Sequence, residues 1–228
     1  MLCSLNEIEA QLRKAARGAG LPWGLAEEAG KAARWLAMHR IRCLPVFAAL
    51  FEENDGRAYD EIAIMQIEGM QAGGMQAEGC WCARGGTLCP LIAGAAIVDR
   101  ADEIAGGRSV ELARVAWPIL LVPFAATVAT ATGASIALEW PGARFTFADG
   151  CVRLDAALDA TAEASAPHAS CGRLAGAAHG TLAKPEIAGC VVDESVWSRL
   201  DGFVQRTYVP ASEESRLKGA GAGLLDTD

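Results

Sequence analysis

Three kinds of residue are scarce in this chain, and each scarcity removes a class of function. Histidine occurs only at His39, His168 and His179. None stands in an H-E-x-x-H pair for zinc, and no G-x-S-x-G turn presents a nucleophilic serine. A histidine-based triad would have to assemble in space, from His168 with Ser170 and Cys171 or from His179 near Thr181. Positive charge is short as well: 20 Lys and Arg against 28 Asp and Glu leave a net charge of −8. Phosphate backbones are bound by basic stripes, so the expectation is no nucleic acid as partner. The densest basic stretch, Arg34 to Arg40 and Arg42, is interleaved with Trp35, Leu36 and Ile41 and reads as the flank of a helix. Aromatic residues make up 6% of the chain, so the core is expected to consist of small, close-packed side chains.

The chain opens Met1-Leu2-Cys3-Ser4 without a charged-then-apolar leader, which predicts a cytoplasmic protein. No charged residue falls between Arg114 and Glu139, a run long enough to span a bilayer. Pro118 and Pro123 interrupt it, and Thr127, Thr130, Thr132, Gly133 and Ser135 make its second half polar. Two buried strands are expected there, and no membrane span. The eight cysteines are expected to be reduced thiols. Cys80, Cys82 and Cys89 are the tightest group, but Cys-x-Cys is too short for a zinc knuckle, and no metal is expected.

What is present is a set of element signals. Ser4-Leu5-Asn6-Glu7 is a capping box, and Leu5, Ile8, Leu12 and Ala15 recur at helical spacing, with Gly18 as a left-handed stop. A second helix is predicted over 25–38 and a third from Pro45, ending before Asn54-Asp55-Gly56. The 69–94 stretch, with its repeated Gly-Met-Gln-Ala, holds no period and reads as a loop. Strands are predicted over 91–98 and 115–124. A meander follows: Ile136, Leu138 and Trp140, then Phe145 and Phe147, then Val152 and Leu154 after Asp149-Gly150. Residues 156–180 read as an irregular crossing. Asp193 and Glu194 open a helix carrying Val196, Trp197, Leu200, Phe203 and Val204, and Ser212 caps a short one that Gly219 ends.

Candidate site residues gather at the two ends. Gly219, Gly221 and Gly223 cannot be a dinucleotide fingerprint, since they follow a helix. Consecutive glycine N–H groups can form a nest for an anion, with Arg206 and Arg216 nearby in sequence. Lys14, Arg17, Glu27 and Glu28 flank the bend between the first two helices. Adjacent helical carboxylates point about a third of a turn apart, so Glu27 and Glu28 need a fold around them to do acid–base work.

Two stretches resemble a known family. Ser4-Leu5-Asn6-Glu7, Lys14 to Gly20, Trp23-Gly24 and Ala26 to Gly30 resemble the amino end of a bacterial family known only as a domain of unknown function. Arg206 to Glu213, Ser215-Arg216 and Gly219 to Gly223 resemble its carboxyl signature. The resemblance implies no activity, substrate or cofactor. It implies that the glycine tail belongs to a pattern.

The expected fold is α+β: an N-terminal helical hairpin, a mostly antiparallel central sheet and C-terminal helices packed on it, as one domain over 1–228. The expected function is binding of a small anionic ligand where the two ends meet, with Arg17, Arg206, Ser212, Arg216, Gly219, Gly221 and Gly223 as its contacts. If that site is enzymatic, Glu27, Glu28 and Tyr208 are the acid–base candidates; the cofactor is unknown. The alternative is a non-catalytic assembly subunit, with the segment around Met70 and Met75 as a partner surface. A homodimer fits either reading.

Overall fold

A computed structural model describes residues 1–67, 80–148, 150–156, 163–174 and 189–208. Its amino-terminal layer is helical. β1 (Leu2–Ser4) leads into α1 (Leu5–Gly18), where Ser4 Oγ accepts from the Glu7 N–H and the Glu7 carboxylate accepts from the Ser4 N–H. Ile8, Leu12 and Ala15, all fully buried, carry the helix onto α2 (Trp23–Met38) through Ala26, Ala29 and Ala33. Alanines on the facing side let the two axes approach closely. α3 (Leu44–Asn54) follows, then the single turn α4 (Tyr59–Ile62).

The sheet has seven strands. They are β2 (Ile64–Ile67), β3 (Cys80–Ala83), β4 (Val110–Leu112), β6 (Ile136–Trp140), β7 (Ala143–Ala148), β8 (Cys151–Ala156) and β10 (Ala169–Arg173), in the order β2-β3-β4-β10-β6-β7-β8. All neighbours are antiparallel except β3 and β4. One face is apolar: Leu112, Cys171, Leu138, Phe145 and Phe147 are buried on it. α5 (Pro90–Asp99), α6 (Ala101–Ala105) and α7 (Val122–Thr132) pack together, and α7 lies against β6 and β7. Two short ribbons complete the strands: β5 (Val115–Ala116) with β9 (Ser165–Ala166), and β1 with β11 (Gly189–Val191). α8 (Glu194–Gln205) returns to pack on α1 and α3. The fold is α+β.

α8 is fixed from both sides. Phe203 meets the Phe51 ring edge-on at 5.8 Å, and Arg199 grips Glu52 with two hydrogen bonds of 2.8 and 2.6 Å. A Cβ on Gly18 would lie 1.8 Å from the Phe203 carbonyl oxygen, so α1 and α8 touch backbone to backbone. Gly18 is therefore not the left-handed stop expected of it. It is the last residue of α1, and the left-handed position is Gly20, at φ 94°.

Four expected elements are corrected. The 69–94 stretch is not a loop throughout, since β3 occupies Cys80–Ala83 inside the sheet and α5 starts at Pro90. Residues 91–98 are helical within α5, because Pro90 supplies a helix first turn and burial on nearly every side erases the helical period. Most of 115–124 is also not strand: after β5, Trp117 turns left-handed at φ 43° and a 3-10 turn (Pro118–Leu121) leads into α7. Both prolines stand in first turns, where they favour helix. The crossing over 156–180 contains β9 and β10, and β10 lies inside the sheet. Residues 68–79, with the Met70 and Met75 surface, lie outside the described residues, as does everything after Tyr208.

Candidate functional site

α1 and α2 end in the same backbone motif. After α1, the Leu21 N–H donates to the Ala16 carbonyl (3.1 Å) and the Gly20 N–H to the Arg17 carbonyl (3.0 Å). After α2, the Ile41 N–H donates to Leu36 and the Arg40 N–H to Ala37, both at 3.0 Å. This is the Schellman closure, which places the residue after the cap in the left-handed region. Gly20 enters that region freely. Arg40 occupies it at φ 59°, and a left-handed residue with a Cβ costs roughly 1–2 kcal/mol. An arginine held where glycine is easier is strain stored locally, which is characteristic of working sites.

That turn forms one wall of a cleft of about 420 Å³. Ile41 and Leu44 continue the wall; Cys190 and Val192 of the β11 segment and Val196 of α8 face it. Arg40 and Arg42 line the same cleft, are exposed, and pair with no carboxylate among the described residues. α3 begins among these residues. No side chain caps it, and Pro45 in its first turn has no N–H. Among the described residues, the one carboxylate lining the cleft, Asp193, is already engaged. It accepts from the Ser195 N–H (2.8 Å) and hydroxyl (2.6 Å), capping α8, and these bonds hold its carboxyl below the usual range. The surface is apolar below and cationic at the rim.

Of the residues expected from sequence, the described ones, Arg17, Glu27, Glu28, Arg206 and Tyr208, do not line this cleft. Lys14 Nζ donates to the Tyr208 hydroxyl at 3.4 Å, so the end of α8 does return to α1. Arg17 donates to the Leu21 carbonyl (2.9 Å) and lies over the Trp23 ring. Arg206 holds Asp55 with bonds of 2.6 and 2.9 Å. Glu28 pairs with Lys31 at 2.7 Å, and Glu27 is exposed on the same helix, about 20 Å of helix rise from Arg40. Ser212, Arg216, Gly219, Gly221 and Gly223 lie outside the described residues, as does His179. His168 is exposed, whereas the Cys171 thiol is fully buried and pushed up to about 12 by desolvation, unsuited to act as a nucleophile. Among the described residues, no group of three or more His, Cys, Asp or Glu is arranged to hold a metal, and no helix is long and apolar enough to cross a membrane.

Strand register assembles one further constellation. Ser170 of β10 stands opposite Glu111 of β4 on one side and Glu139 of β6 on the other. Burial, and then the Glu139 charge, push the Glu111 carboxyl up, while Arg144 neutralises Glu139 at 3.2 Å. Four other carboxyls are held low: Glu7 by Ser4, Glu52 by Arg199, Asp55 by Arg206 and Asp193 by Ser195. A depressed carboxyl stabilises the fold fully above its unfolded pKa and ceases to do so as pH falls through its folded pKa. Thermal stability should therefore be level at neutral pH and fall below about pH 4. Glu111 has the opposite sign, so Glu111→Gln should raise the melting temperature at pH 7, with the gain shrinking toward pH 4. Melting curves across pH 3–8 check both.

Residues 3–77 match the family described as "Protein of unknown function (DUF3726)". The resemblance read from the amino-terminal motifs is thus to an uncharacterised domain family. The matched segment runs from β1 to beyond β2 and contains Arg40 and Arg42. No curated protein matches the chain. Among solved structures, a malate dehydrogenase from Entamoeba histolytica is similar in fold, with a TM-score of 0.50 and 9% identity over 68% of this chain. The similar region spans 49% of that enzyme, about half its length.

Proposed function

We propose that the protein binds a small organic anion in the cleft between the α2–α3 corner and the β11–α8 segment. The observation that carries this reading is Arg40, left-handed in a Schellman turn and set beside Arg42 at the rim of an apolar cleft. The carboxylate or phosphate of the ligand pairs with the two guanidinium groups, and its apolar part lies against Leu44, Val192 and Val196. A cleft of about 420 Å³ falls within the range of small-molecule sites. The malate dehydrogenase of similar fold is named for a small carboxylic acid. That likeness speaks to the fold alone, and the anion reading rests on the arginines.

The test is a thermal-shift panel of small carboxylates, phosphates and nucleotides on the full chain. A ligand at a hundred times its dissociation constant adds about 2.7 kcal/mol, a shift of several degrees. The expected result is a carboxylate or phosphate hit that Arg42→Ala removes and glucose does not mimic. Arg216→Ala in the same assay measures any share taken by the carboxyl-terminal glycine segment. A second reading, a partner-binding subunit, is favoured by Leu2 and Val191, which stand opposite each other on the β1–β11 ribbon and are 78% and 83% exposed. Silence across the panel together with a concentration-dependent mass in solution would favour that reading over the anion site.

A further inference from the structure

The ribbon beside the cleft sets two thiols face to face. In its register Cys3 is opposite Cys190, joining positions near the two ends of the described chain. Met1 and Val192 exchange both backbone hydrogen bonds, at 2.7 and 2.8 Å. In an antiparallel pair such positions alternate with non-hydrogen-bonded ones, so Cys3 and Cys190, two residues along, occupy the next hydrogen-bonded position. Alpha carbons there are about 5.5 Å apart, inside the span of about 4.4–6.8 Å that a disulfide bridges, while the beta carbons, farther apart at such a position than at a non-hydrogen-bonded one, must draw in to about 4.5 Å for the bond to close. Opposed residues also point to the same face of a ribbon.

The two thiols differ in access. Cys3 is buried against the core, 1% exposed, whereas Cys190 is half-buried and lines the cleft. Cys43, a third thiol near Cys190, is fully buried and donates to the Ala33 carbonyl at 3.6 Å. It belongs to a different element and has no strand register to Cys190. All eight cysteines of the chain are free.

We propose that Cys3 and Cys190 form a modification site, an oxidisable thiol pair that a hydroperoxide entering the cleft closes to a disulfide. The Cys190 thiolate attacks one peroxide oxygen, the O–O bond breaks, and the protein is left with a sulfenic acid while hydrogen peroxide is reduced to water. The Cys3 sulfur then attacks the Cys190 sulfur, forming the S–S bond and releasing the sulfenic oxygen as a second water. Two thiols are oxidised by two electrons and one peroxide is consumed. Burial raises both thiols, so closure is slow at pH 7 and quickens as pH rises toward 9. The site does not depend on what the cleft binds.

The experiment treats the full reduced chain with hydrogen peroxide, alkylates the remaining thiols, and maps the peptides without reduction. The expected result is the loss of two alkylatable thiols, a linked pair of peptides containing Cys3 and Cys190, and full reversal by dithiothreitol. The linked protein should also melt several degrees higher, since the crosslink closes a long loop. Cys3→Ala should leave Cys190 accumulating sulfenic and sulfinic acid with no link, and Cys43→Ala should leave the link intact. A Cys43–Cys190 link, eight alkylatable thiols after peroxide, or over-oxidation of wild-type Cys190 without a link would each overturn the proposal. The wild-type peptide map decides the matter even if a variant fails to fold.

Discussion

Gly18→Ala should destabilise the protein by about 2 kcal/mol net, although alanine is the better helix former. Helix propensity alone favours alanine over glycine by roughly 0.5–1 kcal/mol. Against that, the new Cβ would lie 1.8 Å from the Phe203 carbonyl oxygen and 2.6 Å from its carbon. Both are backbone atoms and cannot rotate aside, so α8 must lift off α1 and take Phe203 and Val204 from their buried positions. Overpacking of this kind costs about 1–3 kcal/mol, and a clash this close with rigid backbone lies at the top of that range. Gly20→Ala is the control. Its Cβ would meet nothing within 4 Å, and only the left-handed backbone at φ 94° opposes it, for about 1 kcal/mol. Urea denaturation of the two variants separates clash from conformational strain. In addition, Gly18→Ala should expose α8 to proteolysis while Gly20→Ala does not. Equal losses with α8 protected in both would show that the helix contact is not tight.

At Arg40 the two effects should part company. Arg40→Gly removes the left-handed strain and should stabilise the protein by about 1 kcal/mol. The same change removes one of two guanidinium groups from the cleft. Hydrogen bonds to charged groups contribute about 1.5–3 kcal/mol each, so affinity for an anion found in the thermal-shift panel should fall at least about tenfold. Arg40→Ala keeps the strain and loses the charge: the same fall in affinity, with no gain in stability. Melting curves and calorimetric titration on the two variants read both quantities. If Arg40→Gly binds as tightly as wild type, Arg40 is not part of the site, whatever the ligand.

Legibility in the sequence followed how local the signal was. The capping box at Ser4 and Glu7 and the acidic start of α8 at Asp193 involve residues within three positions of each other, and both helices are where their side chains place them. The meander was legible because Ile136, Leu138 and Trp140 alternate and Asp149-Gly150 marks a hairpin. α5 and α7 were not, since they are buried on almost every side and carry no polar stripe to reveal a helical period. β10 was hidden for another reason: its partners, β4 and β6, are both earlier in the chain, and its short Ala-Ser-Cys-Gly-Arg sequence has little strand character. The cleft was missed because the basic stretch around Arg40 looks like a helix flank. A left-handed φ leaves no mark in an arginine. What could have exposed it was the want of a glycine or asparagine after Met38, where α2 stops.

The walls of the cleft come from opposite ends of the chain, residues 37–45 and 189–196. On a ribosome the first wall is synthesised long before the second emerges. Until α8 arrives, the apolar faces of α1 and α3 that it covers stand open to solvent or to a chaperone. Contacts between such distant positions also form slowly. The cleft is therefore among the last parts of the molecule to be completed. A nascent chain stalled before residue 189 should be unable to bind what the finished protein binds.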